Sequence, residues 1–255
     1  MSAGQGNFAY AQVRLQARLG LRAAPDLERA RAARDLASYL QQVRASPFAR
    51  RVARLAPGMD VHEIERRMRQ EWGTTVDEVA QWQPSAWRPA VRWMRWLPYL
   101  PALQKLARGG RTPAWTREDL ALARIVACDV SDRARCVGQS PMRPLQEAVA
   151  AQGDVSAAWL AEWRRLWPAR GRAVAGLEEV ARHVRTAAEV AQHAPIGAGS
   201  EESLHELARG LLRAFRRHPM SPTAAIAWLG IEALDQLELR GATTVRAALA
   251  PETAA

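Results

Sequence analysis

The chain of 255 residues has one lysine, two cysteines, three phenylalanines and three tyrosines. The lone lysine excludes a G-x-x-x-x-G-K-[ST] phosphate loop, because Gln104 and not glycine precedes Lys105. A Schiff-base role falls to the same residue, which stands in a basic stretch without an apolar pocket around it. Cys128 and Cys136 are not in a C-x-x-C motif, and MSAGQGNFAYAQVR has no apolar signal region. Two reduced, buried, cytosolic thiols are expected. No apolar run approaches the roughly 18 residues of a membrane span, so any membrane role is expected to be peripheral.

Metal-ligand and cofactor patterns are equally sparse. HEIER at 62–66 resembles half of a zinc-protease motif, but Arg66 takes the place of the second histidine, and the five histidines are scattered. The GAG at 197–199 lacks the third glycine and the preceding strand of a dinucleotide loop, and reads as a linker. The carboxylate pairs Glu63 and Glu65, Glu178 and Glu179, and Glu201 and Glu202 lie among arginines or at helix starts, where nothing raises a pKa for acid catalysis. No catalytic residues, cofactor or metal site are expected.

What is present is arginine and tryptophan. The formal net charge is +10, almost wholly from arginine, and ten of the sixteen aromatic residues are tryptophan. A GC-rich codon bias enriches Arg and Ala without functional cause. The charge must still face anionic lipid, nucleic acid or an acidic partner. The length suits one large domain or two to three helical units.

Apolar residues recur every three or four positions. Four stripes stand out: Leu27, Ala30, Ala33, Ala37, Leu40 and Val43; Val61, Ile64, Met68 and Trp72; Leu177, Val180, Ala181, Val184 and Ala188; Leu204, Leu207, Leu211 and Phe215. Helix starts are expected at Asp60 with Glu63, Thr75 with Glu78, Thr116 with Asp119 and Ser203 with Glu206, and at Ser46-Pro47 and Ser221-Pro222. Gly110 and Gly241 are expected stops. VRLQARLGL at 13–21 alternates like a strand but is built of helix formers, and is read as helix. The expectation is an all-α protein of about a dozen helices.

Loop-rich breaks at 109–113 and 194–200, with a weaker one at 138–144, suggest an N-terminal unit 1–110, a middle unit 111–199 and a C-terminal unit 200–255. Trp159, Trp163 and Trp167 fall four apart on one helix face, and Trp93 and Trp96 share another. Such a stripe is more often a core or partner seam than a base-stacking platform. WRPAVRWMRWLPYLPALQKLARGG at 87–110 mixes tryptophan, arginine and three prolines that bend or break its helix.

The order of these features resembles the central-stalk socket family of the V-type rotary ATPases, the C-type component of the archaeal and bacterial enzymes and the d-type component of the vacuolar ones. YAQVRLQARLGL supplies Tyr10, Arg14 and Arg18 where the family has a Tyr-x-x-x-Arg-x-Arg-like opening helix. LASYLQQVRASPFARRV is similar to a leucine-rich helix ending in a Thr-x-Tyr-like turn, with Ser46 and Phe48 in those places. DVHEIERRMRQEW matches an "IE" helix through Ile64 and Glu65. The 87–110 stretch, with Trp93, falls where the family leads into a basic segment. Leu103, Lys105 and Arg108 are kept there, and the family's acid and asparagine are gone. SPTAAIAWLGIEALDQLELRGATTVRAAL resembles the closing helix, with Trp228, Leu229, Glu232, Asp235 and Arg240 in place of its aromatic-leucine pair, acids and basic end. The resemblance covers about 8–108 and 204–249, in a chain shorter than usual members.

The resemblance implies a non-catalytic, all-α, multi-helix funnel built from related helical units, cytoplasmic and peripheral on the inner membrane. It would receive the shaft on one side and meet the proteolipid ring, and anionic lipid head groups, on the other. The 87–110 stretch would be a core and cavity-wall helix. Two rival readings are a basic helical nucleic-acid-binding module and an all-α enzyme without a visible site.

Overall fold

The computed structural model describes residues 3–20, 29–168, 174–193 and 198–249. Among them are thirteen α-helices, several short 3-10 turns and no strand. They are α1 (Ala3–Gly20), α2 (Leu36–Arg44), α3 (Ala49–Val52), α4 (Val61–Trp82), α5 (Arg88–Trp93), α6 (Leu100–Ala107), α7 (Ala123–Ala127), α8 (Arg133–Gly138), α9 (Gln146–Ala150), α10 (Val155–Arg165), α11 (Ala175–His193), α12 (Ala198–Arg217) and α13 (Pro222–Ala248). The all-α expectation holds, and so does the helical reading of 13–20.

Two long helices organise the rest. The first half of α13 is buried on every side from Pro222 to Glu232, as its run of Ala, Ile, Leu, Trp and Gly allows. Gly230 is one reason: a Cβ there would meet the Leu211 side chain at 3.0 Å, so α12 packs directly on the α13 backbone. α4 lies along α13 in the opposite direction, since Met68 and Thr243 meet near one end of the pair and Trp82 and Trp228 both approach Arg18 at the other.

Both helices pass through two apolar clusters. The smaller gathers Ala30, Ala33, Leu36, Tyr39, Leu40, Val43, Phe48, Val52 and Leu55 against Ile64 and Met68 of α4 and Leu239 of α13. The larger holds Trp72 to Trp82 of α4, residues 224–231 of α13 and the packed faces of α1, α5, α6 and α10 to α12. All three sequence segments contribute to it.

The tryptophans are core. Nine of the ten are buried, Trp96 being the partly exposed one, and several of their indole N–H groups are tied to backbone carbonyls. Trp163 donates to Ala90 O at 3.1 Å, Trp93 to Trp159 O at 3.0 Å and Trp72 to Met94 O at 3.1 Å. The 159, 163, 167 stripe therefore forms a seam against the 87–94 segment. That segment is broken as its prolines dictate, into α5, a 3-10 stretch Met94–Tyr99 and α6. Gly109, with φ +71°, closes α6 in a Schellman turn: Gly110 N–H reaches Lys105 O at 2.9 Å and Gly109 N–H reaches Leu106 O at 3.0 Å.

Several local expectations are corrected. Asp60 caps α4 and Ser221 stands at the start of α13 with Pro222 at its first turn, but Thr75–Glu78 lies inside α4, where the buried stripe of Val76 and Val79 continues unbroken. Ser203–Glu206 is interior to α12, and Thr116 turns back on Thr112 and Pro113 within a 3-10 turn. Ser46 accepts from Phe48 N, and α3 begins only at Ala49. Gly241 is interior to α13. The chain breaks at 32–35, where Asp35 caps α2, so Leu36 and Tyr39 are buried there and Ala37 is exposed. Residues 198–200 of the expected 194–200 break are helical, while 194–197 and Leu27 lie outside the described residues.

The cysteines are also corrected. Cys128 and Cys136 form a disulfide across a tight reversal between α7 and α8, and both are half-buried rather than core. The 3-10 turn Val130–Asp132 folds the chain back and brings the two Cα atoms within 6.9 Å. The chain-entropy contribution of so short a loop is at most about 2.5 kcal/mol. Reductant, or Cys136→Ser, is expected to lower the melting temperature modestly and leave far-UV circular dichroism unchanged. A melt unaffected by reductant would remove any stabilising role.

Candidate functional site

Between the two cores, α4 and α13 carry charge. Arg51 of α3 enters this layer from the smaller core. Its Nε and Nη2 donate to Glu232, the Nη2 to Oε2 at 2.5 Å, and Nη2 reaches Asp235 Oδ2 at 3.1 Å. Its guanidinium also lies 4.5 Å from the centre of the Phe48 ring. Burial works against the Arg51 charge, yet the Glu232 and Asp235 carboxylates outweigh it and raise its pKa.

Beside this triad, Arg69 donates to the carboxylate and carbonyl of Glu65 one turn earlier on α4. Its guanidinium stacks 3.7 Å over the Trp115 ring. Arg240 of α13 approaches the same Glu65 at 3.8 Å. Burial lowers the pKa of Arg240, and the neighbouring Arg69 adds to the effect against the pull of Glu65. The charges are divided unevenly: Arg51 faces two carboxylates, while Arg69 and Arg240 share one.

A second ion-pair set fastens α1. Arg18 pairs with Glu78 at 2.6 Å, Arg50 reaches the other oxygen of Glu78 at 2.7 Å, and Arg50 also approaches Glu71 at 3.4 Å. Arg14 and Arg18, one turn apart, both lie over the Trp82 ring, and Arg18 sits 5.9 Å from Trp228. Burial pushes the Glu78 carboxyl up, but Arg50 and Arg18 outweigh it and hold it below its ordinary 4.5. The stability this contributes is therefore present above pH about 4.5 and lost as pH falls through the depressed value. Glu78→Gln is expected to flatten the acid limb of the stability profile in urea titrations; an unchanged limb would place the acid sensitivity elsewhere.

The structure thus pairs Glu65 with Arg240 near one end of α4 and α13, holds Glu232 and Asp235 through Arg51, and places Arg18 near Trp228 at the other end, where Arg14 joins it over Trp82. Tyr10 is half-exposed at the edge of this group, beneath Arg14 at 4.9 Å. Trp93 lies apart in the tryptophan seam, and Lys105 and Arg108 are exposed at the end of α6. The sequence reading missed Arg51, Arg50, Arg69, Glu78 and Gln236. Arg69 had a local signal, four residues after Glu65. Arg51 had none, because its partners are 181 and 184 residues away.

Two cavities flank Arg69, and the 87–110 segment walls both. One, of about 230 Å³, is apolar and runs past Trp72, Leu97, Leu100, Leu211 and Ala233 to Gln236 and Arg240. The other, of about 600 Å³, is more polar and holds Arg95, Tyr99, Asp119 and Arg124. There Tyr99 donates to Asp119 Oδ2 at 3.3 Å, and burial together with that carboxylate pushes the phenol pKa up, so the hydroxyl stays protonated.

No protein-family model, curated protein or solved structure matches this chain. Among the described residues, no group of three or more His, Cys, Asp or Glu gathers closely enough to hold a metal ion. Among the same residues, no helix is long and apolar enough to cross a membrane.

Proposed function

We propose that the chain is the socket of the central stalk of a V-type rotary ATPase, joining the rotating shaft to the membrane proteolipid ring. The observation that carries this reading is the convergence of the resemblance's two halves. Arg14, Arg18 and Glu65 from one end and Trp228, Glu232, Asp235 and Arg240 from the other meet along the α1–α4–α13 seam, with Arg51 between them. Residues that the resemblance picks out in the two halves of the sequence are thus neighbours in pairs along one seam, which supports the reading.

The same arrangement suits a mechanical part. Torque must cross the socket without bending it, and two antiparallel helices packed through two apolar cores, with α3 tied to α13 by the buried Arg51–Glu232 pair, resist sliding past one another. A one-turn slip of α4 along α13 would separate Glu65 from Arg240. The positive surface suits an anionic bilayer, where each arginine near the surface contributes about 1 kcal/mol. With nine tryptophans in the core, base stacking has little aromatic surface to use, which disfavours the nucleic-acid reading.

The test is affinity purification of the tagged full chain from native membranes in mild detergent. Catalytic, shaft and proteolipid subunits recovered in fixed ratio are the expected result. Recovery of nucleic acid alone, released by salt, would overturn the proposal.

A further inference from the structure

The apolar cavity beside Arg240 ends in polar groups that its own walls do not satisfy. Gln236 is buried, only 8% exposed, and its side-chain nitrogen has no hydrogen-bond partner. Gln236 and Arg240 stand one turn apart on α13 and both line the cavity, with Arg69 entering from α4. The Nε of Arg69 is likewise buried without a partner. Its other nitrogens are engaged by Glu65 and, at 3.4 Å, by Pro98 O. Glu65 is therefore divided between two guanidiniums, and its distance from Arg240 is 3.8 Å, too long for a hydrogen bond. One positive charge is in excess at this end, together with an unused amide donor.

Apart from Ser156 and His183, the remainder of the lining is aliphatic and aromatic, from Met68 and Trp72 to Leu97, Leu207 and Leu234. Exposed Leu237 and partly exposed Arg240 also line it, which places an opening at the charged end. The volume, about 230 Å³, exceeds the roughly 150 Å³ apolar cavity known to take benzene and falls below the roughly 300 Å³ at which drug-sized pockets begin. A polar, charged mouth with a largely apolar interior of this size fits a single medium-length aliphatic chain bearing an anionic head.

We propose that this cavity is a binding site for a small amphiphilic carboxylate such as a medium-chain fatty acid. The alkyl chain lies against Trp72 and Leu211, and the carboxylate sits at the mouth, accepting from Gln236 and facing Arg240 and Arg69. The carboxylate supplies both what the mouth lacks, an acceptor for the amide and a countercharge for the second guanidinium. The proposal does not depend on the rotary-motor reading.

The test is isothermal titration of the purified full chain with decanoate below its micellar range, alongside decanol and decylamine of the same chain length. Tryptophan fluorescence follows the same titrations. Saturable one-site binding of decanoate is expected, at least tenfold tighter than decanol, with decylamine weakest. Ala233→Phe, which fills the cavity, is expected to abolish binding, and Arg240→Gln to bring decanoate to the level of decanol. No saturable decanoate binding, equal affinity for decanoate and decanol, or undiminished binding by a folded Ala233→Phe would each overturn the proposal. The comparison of head groups uses the unmodified chain, so it decides the matter even if a variant fails to fold.

Discussion

Trp163→Ala is expected to lower the unfolding free energy by about 3–5 kcal/mol, the range for deleting a large aromatic side chain from a packed core. Trp163 is fully buried. It stacks on Trp159 with ring centroids 5.8 Å apart and meets Trp167 edge-on at 5.1 Å, so its removal opens a void between two rings that α10 cannot close by itself. The change also removes the donor to Ala90 O that fixes α10 against α5. Trp163→Phe separates the two effects: it keeps most of the packing, loses the hydrogen bond and is expected to cost less than half as much. Chemical denaturation of both variants measures this. A loss below about 1 kcal/mol for the alanine variant would mean the tryptophan seam is not part of the folded core.

Arg51→Met carries the second large effect, and its size depends on what it leaves behind. Glu232 is nearly fully buried, and without Arg51 it retains a desolvated charge deprived of its guanidinium. Breaking a buried pair in this way costs about 3–5 kcal/mol, whereas replacing both members by neutral groups costs much less. Arg51→Met with Glu232→Gln is expected to recover most of the stability at pH 7. Equal losses for the single and double variants would show that Arg51 acts through its packing on Phe48 rather than through the charge layer.

Much of the helical framework is legible in the residues. The Val61 to Trp72 stripe, the Asp60 cap, the Ser221-Pro222 start and the glycine stop after α6 all depend on neighbours within a few positions, and the structure has each of them. The failures share a cause. Thr75 with Glu78 reads as a helix start, but the chain is already helical there, and the Arg95 guanidinium passes over Gly73, 3.1 Å from where a Cβ would stand. The helix continues beneath. Cys128 and Cys136 carry no local motif, and only the reversal between α7 and α8 makes them partners.

The charge layer divides in the same way. Tyr10, Arg14, Arg18, Glu65, Glu232, Asp235 and Arg240 stand out through a family pattern, without any indication that they meet. Arg51, which completes the layer, lies within a basic ARRV segment where nothing distinguishes it from Arg50. Its importance comes from depth: its side chain is 11% exposed, against 49% for Arg50. Burial of that kind is set by how α3 meets α13, and no short window of sequence encodes it.

The most direct test of the proposed coupling role is ATP-driven ion uptake by membrane vesicles from cells lacking this chain, measured beside their ATP hydrolysis. With the chain absent, hydrolysis by the catalytic head is expected to persist while ion uptake disappears, and the full chain supplied in trans is expected to restore uptake. Ion uptake that continues undiminished without the chain would contradict the account.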